Sequence, residues 1–446
     1  MMKEDRLSSL ERLKNNSFLS SIFSTSFFIS ISRITGFIRE IVFSSLIGTS
    51  YIMDAFVVAF MVPNFFRRIL GEKAAESVFI PLYIREREKC QKDADTYMSN
   101  FFTIIGLILI AGVILFYLCA PYFIKLIVPG FNEQSFLTAL YLTMIILPYM
   151  FFIGIYAFMG ALLESFKKFN IYNIAPLVFN ITLIIVMLFF YKDYPLKSIG
   201  YGVLIGVILE TLFLFFDLRR IPVRYKPFIN FKDWRIKKTF RLLVPILAGS
   251  GIEKLAIYID RMMASLLNTG AISALHFSFL LTDLPFAVFS IAISKVIHPY
   301  ISVKEIYSSK EKFAKYIRRG IFLNVFVLLP VTILFIVFAK PIVQFVYMRG
   351  AFDLKSVNLT TTPFIFYTLG LIPMGLIQLY SKAFYALLNT KTPLYIAFIS
   401  TLINIFFNII LMPKYGAGGL ALGTSISMWF NSFYLFFKIK ARINKI

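Results

Sequence analysis

The sequence predicts an all-α polytopic membrane protein, with about twelve transmembrane helices in two parallel six-helix lobes around a central cavity. Three observations predict it. Hydrophobic residues make up 59% of the 446 residues and charged residues only 15%, where a soluble globular chain carries roughly 45–50% and about 25%. Apolar runs close to the ~20 residues that cross a bilayer recur along the whole chain. The second half also repeats motifs of the first at a near-constant offset. This composition excludes a soluble enzyme, a disordered chain and a disulfide-stapled secreted domain. Cys90 and Cys119 form no CxxC pair and no metal cluster. The 17% of aromatics suits a lipid-facing surface with rings at its interfaces.

The elements follow in order. Residues 1–16 are polar and mixed in charge, with no cleavable signal peptide, so the first apolar run is expected to stay as a span. Apolar segments occupy 17–47, 52–72, 99–119, 135–163, 170–190 and 198–216. A basic linker, DLRRIPVRYKPFINFKDWRIKKTFR at 217–241, then precedes segments 240–266, 271–300, 318–339, 358–380, 392–412 and 417–437. An even number puts both termini on one side. With that side cytoplasmic, its loops hold 31 Lys and Arg against 7 on the other, as the positive-inside rule requires. The net charge of +23 is then topology signal and contact with anionic headgroups, with no call for nucleic acid.

CAPYFIKLIVPGF at 119–131 matches FAKPIVQFVYMRGAF at 338–352: Pro121 and Gly130 correspond to Pro341 and Gly350, both at offset 220. ALLES at 161–165 matches ALLNT at 386–390, at offset 225. Six spans per half give both halves the same orientation, a transporter architecture with the substrate path between them. The predicted division is 1–218 as N-terminal lobe, 219–240 as cytoplasmic linker and 241–446 as C-terminal lobe.

Eight basic residues lie in or at the ends of spans: Arg33, Arg39, Arg67, Arg68, Lys73, Lys254, Arg261 and Lys295. Such charges are costly and normally face a wet cavity or a partner. The richest stretch is SRITGFIREIVFSSLIGTSYIMDAFVVAFMVPNFFRRILGEKAAESVFIP at 32–81. Arg33 and Glu40, seven apart, share a helix face, and Gly36 offers Arg39 a place to bend. One reading pairs Arg33 and Arg39 with Glu40 or Asp54, and lets Arg67 and Arg68 snorkel to the interface. The other makes the arginines a cationic cavity for a phosphate-bearing substrate, which guanidinium binds bidentately.

The seventh segment carries Glu253, Lys254, Asp260 and Arg261, which can pair internally. Alternatively Asp260 joins Asn404, Asn408 and Thr424 as hard oxygen ligands for a cation such as Na⁺; Asn404 and Asn408 are one turn apart. His276 and His298 have no partner at ligand spacing and read as structural. Glu164 and Glu210 read as interfacial. No Ser/His/Asp set or P-loop appears. A membrane glycosyl- or phosphosugar transferase would need clustered aspartates for Mg²⁺, and only Asp93 and Asp95 stand together, so no enzyme is expected.

SRITGFIRE, DAFVVAFMVPNFFRRI, the PGF loop, MRGAFD and IDRMMASLLNTGAISAL at 259–275 resemble the MurJ/MviN lipid II flippase family, of the multidrug/oligosaccharidyl-lipid/polysaccharide exporter superfamily. The resemblance runs in order through all twelve segments. It implies flipping of an undecaprenyl-pyrophosphate-linked disaccharide-pentapeptide by alternating access between two lobes in a bacterial cytoplasmic membrane. It implies pyrophosphate contacts for Arg33, Arg39 and Arg67 and a gate or pairing role for Asp54. It also implies, as in some members, a sodium site joining spans seven, eleven and twelve, here with Asn408 in place of an acid. Expected partners are lipid II, membrane lipids and cell wall synthesis proteins, without nucleic acid. Expected coupling is to Na⁺ or the membrane potential, with no other cofactor.

Three departures stand out. In HFSFLL, Leu280 occupies the place of a common family arginine, for which Arg261 or Lys254 are the candidate replacements. The family's EGAFSQ motif reads Glu72 to Ser77 here, as EKAAES. Many members have fourteen spans rather than twelve. The alternatives are a flippase for another polyprenyl-pyrophosphate glycan, or a cation-coupled exporter of the superfamily. The paired arginines favour an anionic pyrophosphate over a cationic drug.

Overall fold

The computed structural model describes residues 27–67, 78–168, 170–303, 309–387 and 389–444. No strand occurs among the described residues. A membrane leaves no other choice for these runs, because hydrocarbon offers backbone groups no partner outside the helix. The helices are α1 (27–47), α2 (Tyr51–Arg67), α3 (Ile80–Lys89), α4 (Gln91–Ile127), α5 (Glu133–Ile146), α6 (Tyr149–Ser165), α7 (Asn170–Phe190) and α8 (Pro195–Leu218). After an irregular stretch come α9 (Trp234–Ala264), α10 (Ala271–Pro285), a π-turn at Phe286–Ser290 and α11 (Ile291–Ile301). Then follow α12 (Lys310–Val337), α13 (Ala339–Tyr347), α14 (Leu354–Thr368), α15 (Leu371–Ala386), α16 (Lys391–Tyr415) and α17 (Ala417–Ile443).

Among the described residues, seven helices are long and apolar enough to cross a membrane, or nine if each bent pair counts as one span. The chain is therefore a multi-pass membrane protein, while the full dozen is not recovered by length and apolarity alone. The segments read as straight spans at 135–163 and 358–380 are the bent pairs, α5–α6 at 41° and α14–α15 at 44°. Pro148 sits in the first break, where it supplies no N–H to the ladder. Gly370 sits in the second, where a side chain would meet Ser425 Oγ at 2.7 Å. Glu210 lies inside α8 and is only 3% exposed.

The chain forms two compact units that do not follow chain order. One holds the residues up to Phe43, Ala59–Pro121 and Leu140–Leu247; the other holds Ser44–Val58, Tyr122–Ala139 and Ala248–Ile446. In the first unit Phe79 stacks on Phe101 at 5.2 Å between ring centroids, and Phe101 meets Phe158 edge-on at 5.0 Å. The linker packs on this unit. Asn100 exchanges two hydrogen bonds with the Asn230 backbone, at 2.8 and 2.9 Å, and Arg235 bridges Asp233 and Glu86. Helix α9 already begins at Trp234, inside the stretch read as linker.

In the second unit Phe313, Leu379, Phe384, Ile396, Leu435 and Ile439 form a buried core. The two inserted segments are held there by contacts that repeat the internal duplication. The Ala351 amide donates to the Ser45 carbonyl at the end of α1, 2.7 Å away, and the Gly130 amide donates to Ser265 Oγ just after α9, at 3.2 Å. A Cβ on Gly350 would strike the Ser45 carbonyl, and one on Gly130 would strike that of Ser265. Ser45 and Ser265 are 220 residues apart, as are Gly130 and Gly350. Each half thus presses its loop glycine onto the end of the other half's first helix. Gly350 also has φ +55 and Gly130 does not. We therefore expect Gly350→Ala to lower the thermal unfolding temperature in detergent more than Gly130→Ala, with both below wild type; equal, unchanged temperatures would contradict the interlock.

Candidate functional site

Three polar assemblies are buried in these apolar helices. The first surrounds Arg39 on α1. Its guanidinium donates to Asn180 Oδ1 on α7 at 3.0 Å and to Glu40 Oε1 at 2.5 Å, and lies over the Phe179 ring, 5.7 Å from its centroid. Asn180 in turn donates to the Ser32 carbonyl and Thr35 Oγ1. One amide thus fixes both α1 and the arginine fork. Sequence spacing put Glu40 on Arg33's face; the structure joins it to Arg39. Arg33 itself is exposed. Asn180 was missed because a neutral amide inside an apolar run carries no charge signal. The Arg67 backbone ends α2, while its side chain, all of Arg68, Lys73 and the Glu72–Ser77 motif lie outside the described residues.

The second assembly is built on Asp54, in the part of α2 that belongs to the second unit and only 3% exposed. Its two oxygens accept from the Gly270 amide at 2.6 Å and the Ser273 amide at 2.7 Å, and also from Ser273 Oγ. Gly270 is the N-cap of α10 and carries no side chain to cap with. Asp54 therefore performs a capping aspartate's task from 216 residues away, placing negative charge at a helix N-terminus. Arg261 closes the same corner, donating to the Ile272 carbonyl at 2.9 Å. The arginines of α1 belong to the first unit, and Asp54 and Arg261 to the second. Leu280 is half-buried on α10. The Glu253 and Lys254 side chains lie outside the described residues.

The third assembly brings together all four predicted cation ligands. Asp260 Oδ1 accepts from Asn408 Nδ2 at 2.6 Å, and its Oδ2 accepts from Thr424 Oγ1 at 3.1 Å. Asn404 completes the cluster: with its amide nitrogen toward Asp260 it donates to Oδ1 at 3.2 Å, and its oxygen accepts from the Thr424 amide at 3.2 Å. Asn408 Oδ1 is buried without a hydrogen-bond partner, against Gly423. One carboxylate, two amide oxygens and a hydroxyl, with Asn408 Oδ1 left unpartnered, form a donor set that fits a hard monovalent ion. Among the described residues, no group of three His, Cys, Asp or Glu could hold a metal.

The cap gives a direct expectation. In Asp54→Asn an amide N–H faces a backbone N–H, leaving a buried donor unpaired at about 1–3 kcal/mol. Hydrogen exchange at the start of α10, Gly270 to Ala274, should accelerate accordingly, while α7 is unaffected. Wild-type protection there would contradict the capping role.

Comparison with known proteins shows the family. A family profile described as "Lipid II flippase MurJ" matches residues 43–446. A probable lipid II flippase MurJ of Rickettsia prowazekii is 31% identical, over 90% of this chain and 80% of that protein. The lipid II flippase MurJ of Thermosipho africanus is 31% identical, over 95% and 86%. A solved lipid II flippase MurJ in an inward closed conformation superposes with TM-score 0.84 at 31% identity, covering 93% of this chain and 87% of that one. An inward-facing multidrug resistance MATE transporter of the MOP superfamily reaches 0.79 at 14% identity, which shows shared fold.

Proposed function

Because the chain belongs to the lipid II flippase MurJ family, we propose that it moves lipid II from the inner to the outer leaflet of a bacterial cytoplasmic membrane by alternating access. It is a transporter and not an enzyme. The observation that carries the substrate reading is the Arg39 assembly. A guanidinium in an apolar helix keeps 21% of its side chain exposed while Asn180 and Phe179 fix its plane. Such a fork suits a pyrophosphate, which outcompetes the single charge of Glu40 by offering several oxygens in bidentate geometry. Asn180 keeps the fork aimed during that exchange. Arg33 and Arg67 join it as further phosphate contacts, and Asp54 acts as a gate by holding or releasing the start of α10.

We further propose that Asp260, Asn404, Asn408 and Thr424 hold Na⁺ as the coupling ion, the membrane potential adding to the drive. The bound ion would neutralise Asp260 and tie α9, α16 and α17 together. The charge asymmetry of the loops supports cytoplasmic termini, and cell wall synthesis proteins are the expected neighbours of the exported product. Leu280 favours one second reading: with a common family arginine absent and Arg261 committed to Ile272, another polyprenyl-pyrophosphate glycan is the alternative cargo.

The test is transport of fluorescent lipid II in proteoliposomes, beside complementation of a strain depleted of its own lipid II flippase. Arg39→Ala should abolish both, and Arg39→Lys should restore only part, since an ammonium cannot bind bidentately. Full activity of Arg39→Ala, or transport of another lipid-linked glycan in preference to lipid II, would overturn the reading. Separately, transport should rise with an inward Na⁺ gradient, and Asp260→Asn should remove that dependence while the protein stays folded. Transport indifferent to Na⁺ in wild type would discard the ion site and leave the pyrophosphate role standing.

A further inference from the structure

Inside the second unit a cavity of about 330 Å³ opens beside the Asp260 cluster, far above the ~10–15 Å³ that one water needs. Its walls are mostly apolar, with Ile257, Phe286, Met374 and Met428 among them. One seam is polar. On α16 it carries Ser400 and Asn404, and on α17 Thr424, Ser427 and Asn431. These spacings of four, and of three and four, keep each set on one helix face. The seam is held in shape from within: Ser400 Oγ donates to the Ser427 carbonyl and Ser427 Oγ to the Thr424 carbonyl, both at 2.7 Å. At its far end Asn431, 9% exposed, turns a buried Oδ1 that meets no donor. Seven residues of α17 separate Thr424 from Asn431, about 10 Å along the axis.

We propose that this cavity is the cation's antechamber, with Asn431 Oδ1 as a staging ligand through which a partly hydrated monovalent cation reaches and leaves Asp260. The inference rests on the cation reading of the Asp260 cluster and adds a route and a residue to it. A buried acceptor without a donor signals an unrecorded water or ion, and a seam of neutral oxygens leading to one carboxylate selects positive charge. The single carboxylate matches single charge. Arg261 lines the same cavity beside Asp260, which disfavours a divalent ion and keeps a monovalent one from binding too tightly to leave. The route runs along α17 from Thr424 to Asn431, inside the second unit.

The test uses the full chain in lipid nanodiscs with Trp234→Phe, which leaves Trp429 as the only tryptophan. Trp429 sits on α17 two residues before Asn431, with its Nε1 donating to the Leu369 carbonyl at 2.9 Å. Equilibrium binding of ²²Na⁺ gives the affinity. Stopped-flow Trp429 fluorescence and a ²²Na⁺ chase give the rates. Asn431→Leu should slow entry and exit together by about tenfold, the equivalent of about 1.4 kcal/mol in barrier height, with affinity nearly unchanged. Asn431→Ser, which keeps an oxygen, should recover most of the rate. Asn408→Ala should instead lose the affinity itself. Wild-type rates in Asn431→Leu, with Asn408→Ala still defective, overturn the antechamber and spare the cation site. A wild-type protein that binds no ²²Na⁺ overturns the cation site and the antechamber with it.

Discussion

Hydrocarbon pairs with no polar group, so every buried polar side chain in a membrane span must be matched from inside the protein. That constraint organises this molecule. Arg39 is matched by Glu40 and Asn180, Asp54 by two amides and a hydroxyl of α10, and Asp260 by Asn408 and Thr424. Apart from the Arg39–Glu40 pair within α1, each match joins helices distant in sequence. Removing one partner leaves a charge or dipole in a medium that cannot solvate it, so these pairs set where α1 meets α7, where α2 meets α10, and where α9 meets α16 and α17, far more tightly than the surrounding apolar contacts. Leucine against lipid costs little more than leucine against leucine; an unpaired aspartate has no comparable alternative.

The same constraint explains why the segments around residues 44–58 and 122–139 leave their own half of the chain. Short connections between spans carry exposed backbone groups and need partners there. Ser45 and Ser265 provide them at equivalent places of the duplication, each to a glycine loop of the opposite half. The glycines permit the approach because a side chain at either would collide with a carbonyl. A duplicated sequence thus produces a reciprocal clasp, and that clasp brings Asp54 to α10.

The sequence shows the fold class and the repeat plainly, because apolar length, loop charge and glycine offsets are all local signals. It also shows the Asp260 cluster, since Asn404 and Asn408 stand one turn apart in an otherwise apolar helix and have no purpose facing lipid. The bends are legible only in part: Pro148 announces the first, while Gly370 looks like any membrane-helix glycine. The Asp54 cap is invisible. Capping rules look for an acid a residue or two before the helix, and this one arrives from 216 residues away. Asn180 is hidden for a related reason: its role comes from Arg39, and nothing along α7 points to α1. The burial of Glu210 is not legible either, since exposure depends on the neighbours of its helix.

The three assemblies differ in how completely they are satisfied, and that difference separates lock from site. Both oxygens of Asp54 meet donors at 2.6 and 2.7 Å; opening that corner means breaking charge-assisted bonds without replacement, as suits a latch. Arg39 is satisfied by a partner, Glu40, that a stronger anion can replace, as suits a substrate contact. The Asp260 cluster keeps an orphaned oxygen on Asn408, and a further one stands on Asn431. A partly satisfied buried network is less favourable than an apolar one unless something completes it. What is left over in the cluster is an acceptor, Asn408 Oδ1, which a cation can complete. The unpaired acceptors lie on α16 and α17, within the second unit, and not at the latch or the arginine.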